Sequence, residues 1–122
     1  MTTNGVIEAE RETYHDLVGK SGWILADFWG PRCEPCVRLS PYVKSLPEQI
    51  PNLHVVTVEA PRNRRLCIDL KVMGLPTFIL YRDGEEMSRL SESQLTKSQL
   101  DRWLAEFVEP GDSATAPGEE TA

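Results

Sequence analysis

At 122 residues the chain is long enough for one domain with a real core, and 40% hydrophobic with 26% charged residues is the make-up of a soluble globular protein. Its formal net charge of −6 argues against nucleic acid as a partner, and no segment approaches the length of a membrane-spanning helix. Three cysteines are too few for a disulfide framework; two spaced as CxxC with one to spare suggest catalysis.

The opening MTTNGVIEAERE has neither the basic start nor the apolar core of a secretory signal, so the reducing cytoplasm is the expected compartment. Residues 1–5 read as frayed and Val6-Ile7 as a short edge strand. Glu8 to Val18 is polar with apolar points at Ala9, Tyr14, Leu17 and Val18, which predicts a short surface helix ended by Gly19 and Gly22. Trp23 to Trp29 is an apolar, aromatic run of strand length, broken by Gly30 and Pro31. Cys33-Glu34-Pro35-Cys36 follows, and Pro35 suits a helix only in its first turn, where its missing N–H costs nothing. Cys36, Val37, Leu39, Val43 and Leu46 then form an approximate helical stripe, with Pro41 as an expected kink and Pro47 and Pro51 bracketing the exit. A CxxC where a strand passes into a helix is a redox arrangement. It places Cys33 near unpaired amide N–H groups that favour a thiolate, with Cys36 less than a turn away, within reach of a disulfide.

Leu53 to Glu59 is β-branched at its centre and apolar on both faces, as a central strand would be. Ala60-Pro61 turns the chain, and Arg62 to Leu70 reads as a short helix with Leu66, Cys67 and Leu70 inward and Arg62, Arg64 and Arg65 outward. Thr77 to Arg82 is a third strand, Asp83-Gly84 a hairpin signal and Glu85 to Leu90 a partly exposed return strand. Thr96 or Ser98 can cap a last helix carrying Leu100, Trp103, Leu104 and Phe107 on one side. Strands separated by helices predict parallel, right-handed crossovers, and the hairpin adds an antiparallel edge. The expected fold class is α/β, a central mixed four- to five-stranded sheet with helices on both faces over residues 1–109. Residues 110–122 read as a flexible acidic tail.

Blander readings compete with the sharper ones. The CxxC could be a structural pair or half of a zinc site; zinc calls for four ligands, and only Cys67, His15 and His54 remain, each in a separate element. Asp27 could be a strand-end acid satisfied by local amides. Cys67 reads as a small core residue, and His15 and His54 as surface residues. The Arg62-Arg64-Arg65 run is most simply a solvated face, with a patch for an anionic partner as the alternative, since it follows a strand leading toward the CxxC end of the sheet.

With its elements in order, the chain resembles the thioredoxin family. The resemblance rests on DFWGPRCEPC ending at Cys36, on Pro41 five residues later, on Gly74-Leu75-Pro76-Thr77 and on the turn Arg82-Asp83-Gly84-Glu85; it covers roughly residues 6–108. It implies a thioredoxin-like fold and a thiol–disulfide oxidoreductase reducing protein disulfides. Cys33 would be the nucleophile, Cys36 the resolving cysteine and Asp27 a buried acid that exchanges a proton with Cys36. Substrate contact would fall to Trp29, Arg32, Glu34, Pro35, Gly74, Leu75 and a cis Pro76. No cofactor, metal, membrane or nucleic acid is implied; a monomer is expected, acting on disulfide-containing proteins and recharged by an upstream reductase.

Five sites depart from the family pattern, one of them Glu59-Ala60 in place of a commonly acidic end to its strand. Arg32 stands in place of an exposed tryptophan and Glu34 in place of a glycine; Thr57 takes the position of a lysine near the buried acid, and Ser91-Glu92-Ser93 replaces a glycine loop beside the active site. These point to specialised partners and to a reductase other than the ordinary thioredoxin reductase. A protein disulfide oxidase or isomerase is the alternative within the fold, and a non-catalytic binding module the alternative outside that chemistry.

Overall fold

The computed structural model describes residues 2, 3 and 5–108. Its sheet is built on β3 (Trp23–Trp29), which lies between β4 (Leu53–Glu59) and β5 (Thr77–Arg82). β2 (Val6–Glu8) flanks β4, β6 (Glu85–Ser91) flanks β5, and β1 (Thr2–Thr3) adds a short outer strand, giving the order β1-β2-β4-β3-β5-β6. Five strands thus form the expected mixed sheet, extended at one edge by two residues. The start of the chain is therefore not wholly frayed: Thr2 and Thr3 pair antiparallel with Ile7 and Val6, so Val6–Glu8 is not the edge.

β2 and β3 both run parallel to β4. β5 corrects the expectation that every helical connection makes a parallel pair, because it is antiparallel to β3. The intervening helix is α3 (Arg64–Leu70). The chain re-enters where β4 left, and Thr77 pairs with Phe28 at the end of β3. That connection brings the loop ending in Pro76 to the start of the CxxC segment.

Alternation along the strands divides the core in two. Leu25, Val55, Phe78 and Leu80 face α2 (Glu34–Gln49) and α4 (Lys97–Ala105), meeting Leu39, Val43, Leu46, Leu100, Trp103 and Leu104. Ile24, Ala26, Phe28, Val56, Val58 and Ile79 face α1 (Tyr14–Val18) and α3, meeting Tyr14, Val18, Leu66 and Cys67. Each fully buried Leu, Ile or Phe contributes roughly 1.5–3 kcal/mol, which is why β3 and β4, apolar on both faces, take the centre.

Three helices differ from their expected bounds; α3 begins at Arg64 and not at Arg62, because Ala60–Arg62 forms a separate 3-10 turn that ends at Asn63. α1 is confined to Tyr14–Val18, because Glu10 to Thr13 folds as a turn in which the Glu10 N–H donates to Thr13 Oγ1 at 3.1 Å. Tyr14 is then buried, its hydroxyl 2.8 Å from that of Tyr81. α2 runs through Pro41 and Pro47 to Gln49, so Pro47 lies inside the helix and only Pro51 falls after its end. α4 is capped by Thr96: its Oγ1 accepts from the Gln99 N–H at 3.2 Å, while Gln99 Oε1 accepts from the Thr96 N–H at 2.9 Å. The β5–β6 turn places Asp83 and Gly84 at φ +51° and +85°, the left-handed pair that a two-residue hairpin needs. The expected acidic tail, 110–122, lies outside the described residues.

Candidate active site

β3 ends at Trp29, and Gly30 carries the chain past Leu75 so closely that a Cβ there would sit 3.2 Å from Leu75 Cδ1. Cys33 is the N-cap of α2, in extended conformation, and Pro35 occupies the first turn, where it wastes no hydrogen bond. The Cys36 N–H donates to Cys33 Sγ at 3.3 Å. The two cysteines are joined as a disulfide, with Cα atoms 5.2 Å apart. When the pair is reduced, the helix N-terminus presents that N–H and its dipole to Cys33, which favours the thiolate. Exposure separates the two: Cys33 is half-buried and Cys36 is 5% exposed.

The second arm of the site is the loop before β5. Leu75-Pro76 is a cis peptide, Pro76 is buried and Leu75 half-buried. Thr77 anchors the loop, donating from Oγ1 to the Gly74 carbonyl at 2.6 Å and lying 3.0 Å from Ser91 Oγ. Gly74 has open space around its α-carbon, so nothing steric requires a glycine there. Arg32 and Glu34 are exposed beside Cys33. Glu34 is 3.3 Å from Arg38 one turn along α2, which offsets part of its negative charge near the thiolate. The sequence signal for that pair is its i,i+4 spacing, which a comparison of Glu34 with Arg32 alone overlooks.

Behind the cysteines lies Asp27. It is buried, 7% exposed, so it is not a solvated strand-end acid. In-register pairing sets Asp27 beside Thr57 and Thr57 beside Glu8, a polar row across β3, β4 and β2. Cys36, Ser40 and Lys44 recur every four residues along α2. Together with Trp29 and Val37, the row and the helical set line a cavity of about 190 Å³. Burial pushes the Asp27 carboxyl up to about 7, and the Lys44 ammonium opposes part of that rise. The lysine missing at Thr57 on β4 thus has a counterpart on α2. Periodicity did not reveal it, because Lys44 occupies an exposed position between the apolar residues Val43 and Leu46.

The remaining chemistry-bearing residues are not brought to this centre. Cys67 is buried in the cluster on the opposite face of the sheet, where burial pushes its thiol up. His54 is exposed on β4 and His15 exposed on α1. Arg62, Arg64 and Arg65 are exposed, with Arg62 4.0 Å from Glu59 and Arg65 3.6 Å from Asp69. Arg64, Ile68, Met73 and Leu75 line an open groove of about 430 Å³ that reaches the CxxC segment through the contact of Leu75 with Gly30.

A family model described as Thioredoxin matches residues 5–106. Among curated relatives, a thioredoxin of Acetoanaerobium sticklandii is 27% identical over 84% of this chain and 100% of its own. A thioredoxin of Chlamydia trachomatis is 32% identical over 65% of this chain and 76% of its own. Among solved structures, a mutant thioredoxin from Halobacterium salinarum superposes with a TM-score of 0.75 at 24% identity, covering 89% of this chain and 96% of that one. Thioredoxin from Fasciola hepatica gives 0.71 at 25% identity, over 82% and 96%.

Proposed function

The chain belongs to the thioredoxin family and is a protein thiol–disulfide oxidoreductase; from that premise we propose that its Cys33–Cys36 pair reduces protein disulfides for a restricted set of partners. The observation that carries this reading is the asymmetry of the pair: Cys33 is half-buried and receives the Cys36 N–H, while Cys36 is buried in the cavity that holds Asp27.

The Cys33 thiolate attacks a substrate disulfide; that S–S bond breaks, one substrate sulfur leaves as a thiolate, and a mixed disulfide forms on Cys33. Cys36 then gives its proton to the Asp27 carboxylate and attacks Cys33 Sγ. The mixed disulfide breaks, the second substrate sulfur leaves, and the Cys33–Cys36 disulfide closes, with two electrons transferred in all. A group titrating near 7 suits Asp27 to accept that proton at neutral pH. The backbone of Leu75 pairs with the extended substrate chain beside Pro76. Trp29 and Gly74 complete the surface around the sulfurs, with Pro35 buried beneath it in the first turn of α2.

Partner restriction rests on the charges beside Cys33 and on the groove. Arg32 and the Glu34–Arg38 pair replace apolar contact surface with charge. Val37, Ile68 and Met73 supply exposed apolar surface, and Arg64 lies at the groove. With Ser91-Glu92-Ser93 beside this surface, the reading assigns recharging to a reductase other than the ordinary thioredoxin reductase; turnover by that enzyme equal to a generic thioredoxin's would remove this part. The same reading makes the protein a cytoplasmic monomer. No helix among the described residues is long and apolar enough to cross a membrane.

Trapping tests the assigned roles. Cys36→Ser retains an attacking thiol without a resolving one, so mixed disulfides on Cys33 accumulate with lysate proteins and are released by reductant. Cys33→Ser should trap few. Equal yields from the two variants would contradict the assignment.

A further inference from the structure

Two polar sets face one another across a single cavity. On the sheet, Glu8, Thr57 and Asp27 stand side by side on three parallel strands. On α2, Cys36, Ser40 and Lys44 stand at successive four-residue steps, which an α-helix stacks on one face. All six line the same space of about 190 Å³, room for several water molecules against the 10–15 Å³ or so that one needs. Glu8 and Lys44 are exposed, whereas Asp27 and Cys36 are buried, so the cavity connects the surface to the two groups that exchange a proton.

We propose that Lys44 is a positioning residue for this proton exchange: from the mouth of the cavity its ammonium sets the protonation of Asp27, opposed by the carboxylate of Glu8. This rests on the reading of Asp27 as the partner of Cys36. Lys44 is the cation among the residues lining the cavity, and Glu8 and Asp27 are the anions; the remaining lining residues, Trp29, Cys36, Val37, Ser40 and Thr57, carry no charge while Cys36 is in the disulfide. Glu59, two residues beyond Thr57, lies outside the lining and 4.0 Å from Arg62. On β5, Asp27 pairs with Phe78, which contributes no charge. Control of the buried acid thus comes from the helix that also carries Cys36. A rotation or slide of α2 would move cation and sulfur together.

The test is a titration of the Asp27 carboxyl by carbon-13 NMR in the full-length oxidised protein, where neither active-site cysteine titrates. Lys44→Met should raise the midpoint by about half a pH unit or more, Lys44→Arg should restore it, and Glu8→Gln should lower it. The pH profile of substrate-thiol release should move in step with the midpoint. A midpoint unchanged in Lys44→Met overturns the proposal, as does a shift of the same size in Lys44→Arg, which would trace to packing. The reading beneath it fails separately: if Asp27→Asn leaves release unaltered, Asp27 has no part in the exchange, while the carboxyl titration still decides whether Lys44 controls its charge.

Discussion

Burial lifts the Asp27 carboxyl from an ordinary 3.8 to about 7, so near neutral pH it is poised between its two forms. Between those values the folded protein holds a proton that the unfolded chain has released. Stability from this group is therefore fully present below the unfolded value and is lost as pH rises through 7. Asp27→Asn removes that dependence. Its stability advantage over the native protein should grow by on the order of 2 kcal/mol between about pH 5 and pH 8, read by chemical denaturation of the oxidised forms. Parallel stability curves for the two proteins would contradict a buried, proton-holding Asp27. The same substitution should slow release of the second substrate thiol more than the initial attack. Asp27 was legible in the sequence through the resemblance carried by DFWGPRCEPC, which implies a buried acid in the strand before the CxxC. Lys44 was not, because a lysine on a helix surface is ordinary until the sheet beneath it is known.

At the scale of elements, capping and turn chemistry were readable wherever the signal is local. Thr96 followed by Gln99 closes a reciprocal pair of hydrogen bonds, and Asp83-Gly84 makes the turn its residues predict. Thr96→Ala should cost about 1 kcal/mol, seen as a lower denaturant midpoint with no change in the redox behaviour of Cys33–Cys36. A loss of well under half that amount would mean that Trp103, whose Nε1 donates to Ser88 Oγ at 3.0 Å, holds α4 without its cap. The direction of β5 was harder to read. The rule that helices join parallel strands is a local prior, and the pairing of β5 against β3 overrides it. Pro47 misled for a related reason: packing of Leu46 and Ile50 into the core carries α2 past a residue that a bare sequence takes as an ending.

Across the whole molecule, the two ends of the proposed site come from segments about forty residues apart, Cys33–Cys36 and Leu75-Pro76, and β5, entering antiparallel beside β3, carries the second toward the end of β3. The CxxC and the proline loop could be named from the chain alone; the cavity between sheet and α2, and the groove from Leu75 to Arg64, arise only when separate elements meet. The central claim is that this assembly is a reductant, and the reduction potential of the Cys33–Cys36 pair tests it most directly. Equilibration in defined dithiol buffers, with thiols quantified at each poise, should give a value near the thioredoxin range, roughly −270 mV. A value near roughly −120 mV, the range of strong oxidants, would contradict it and identify the charges around Cys33 as the makings of an oxidase.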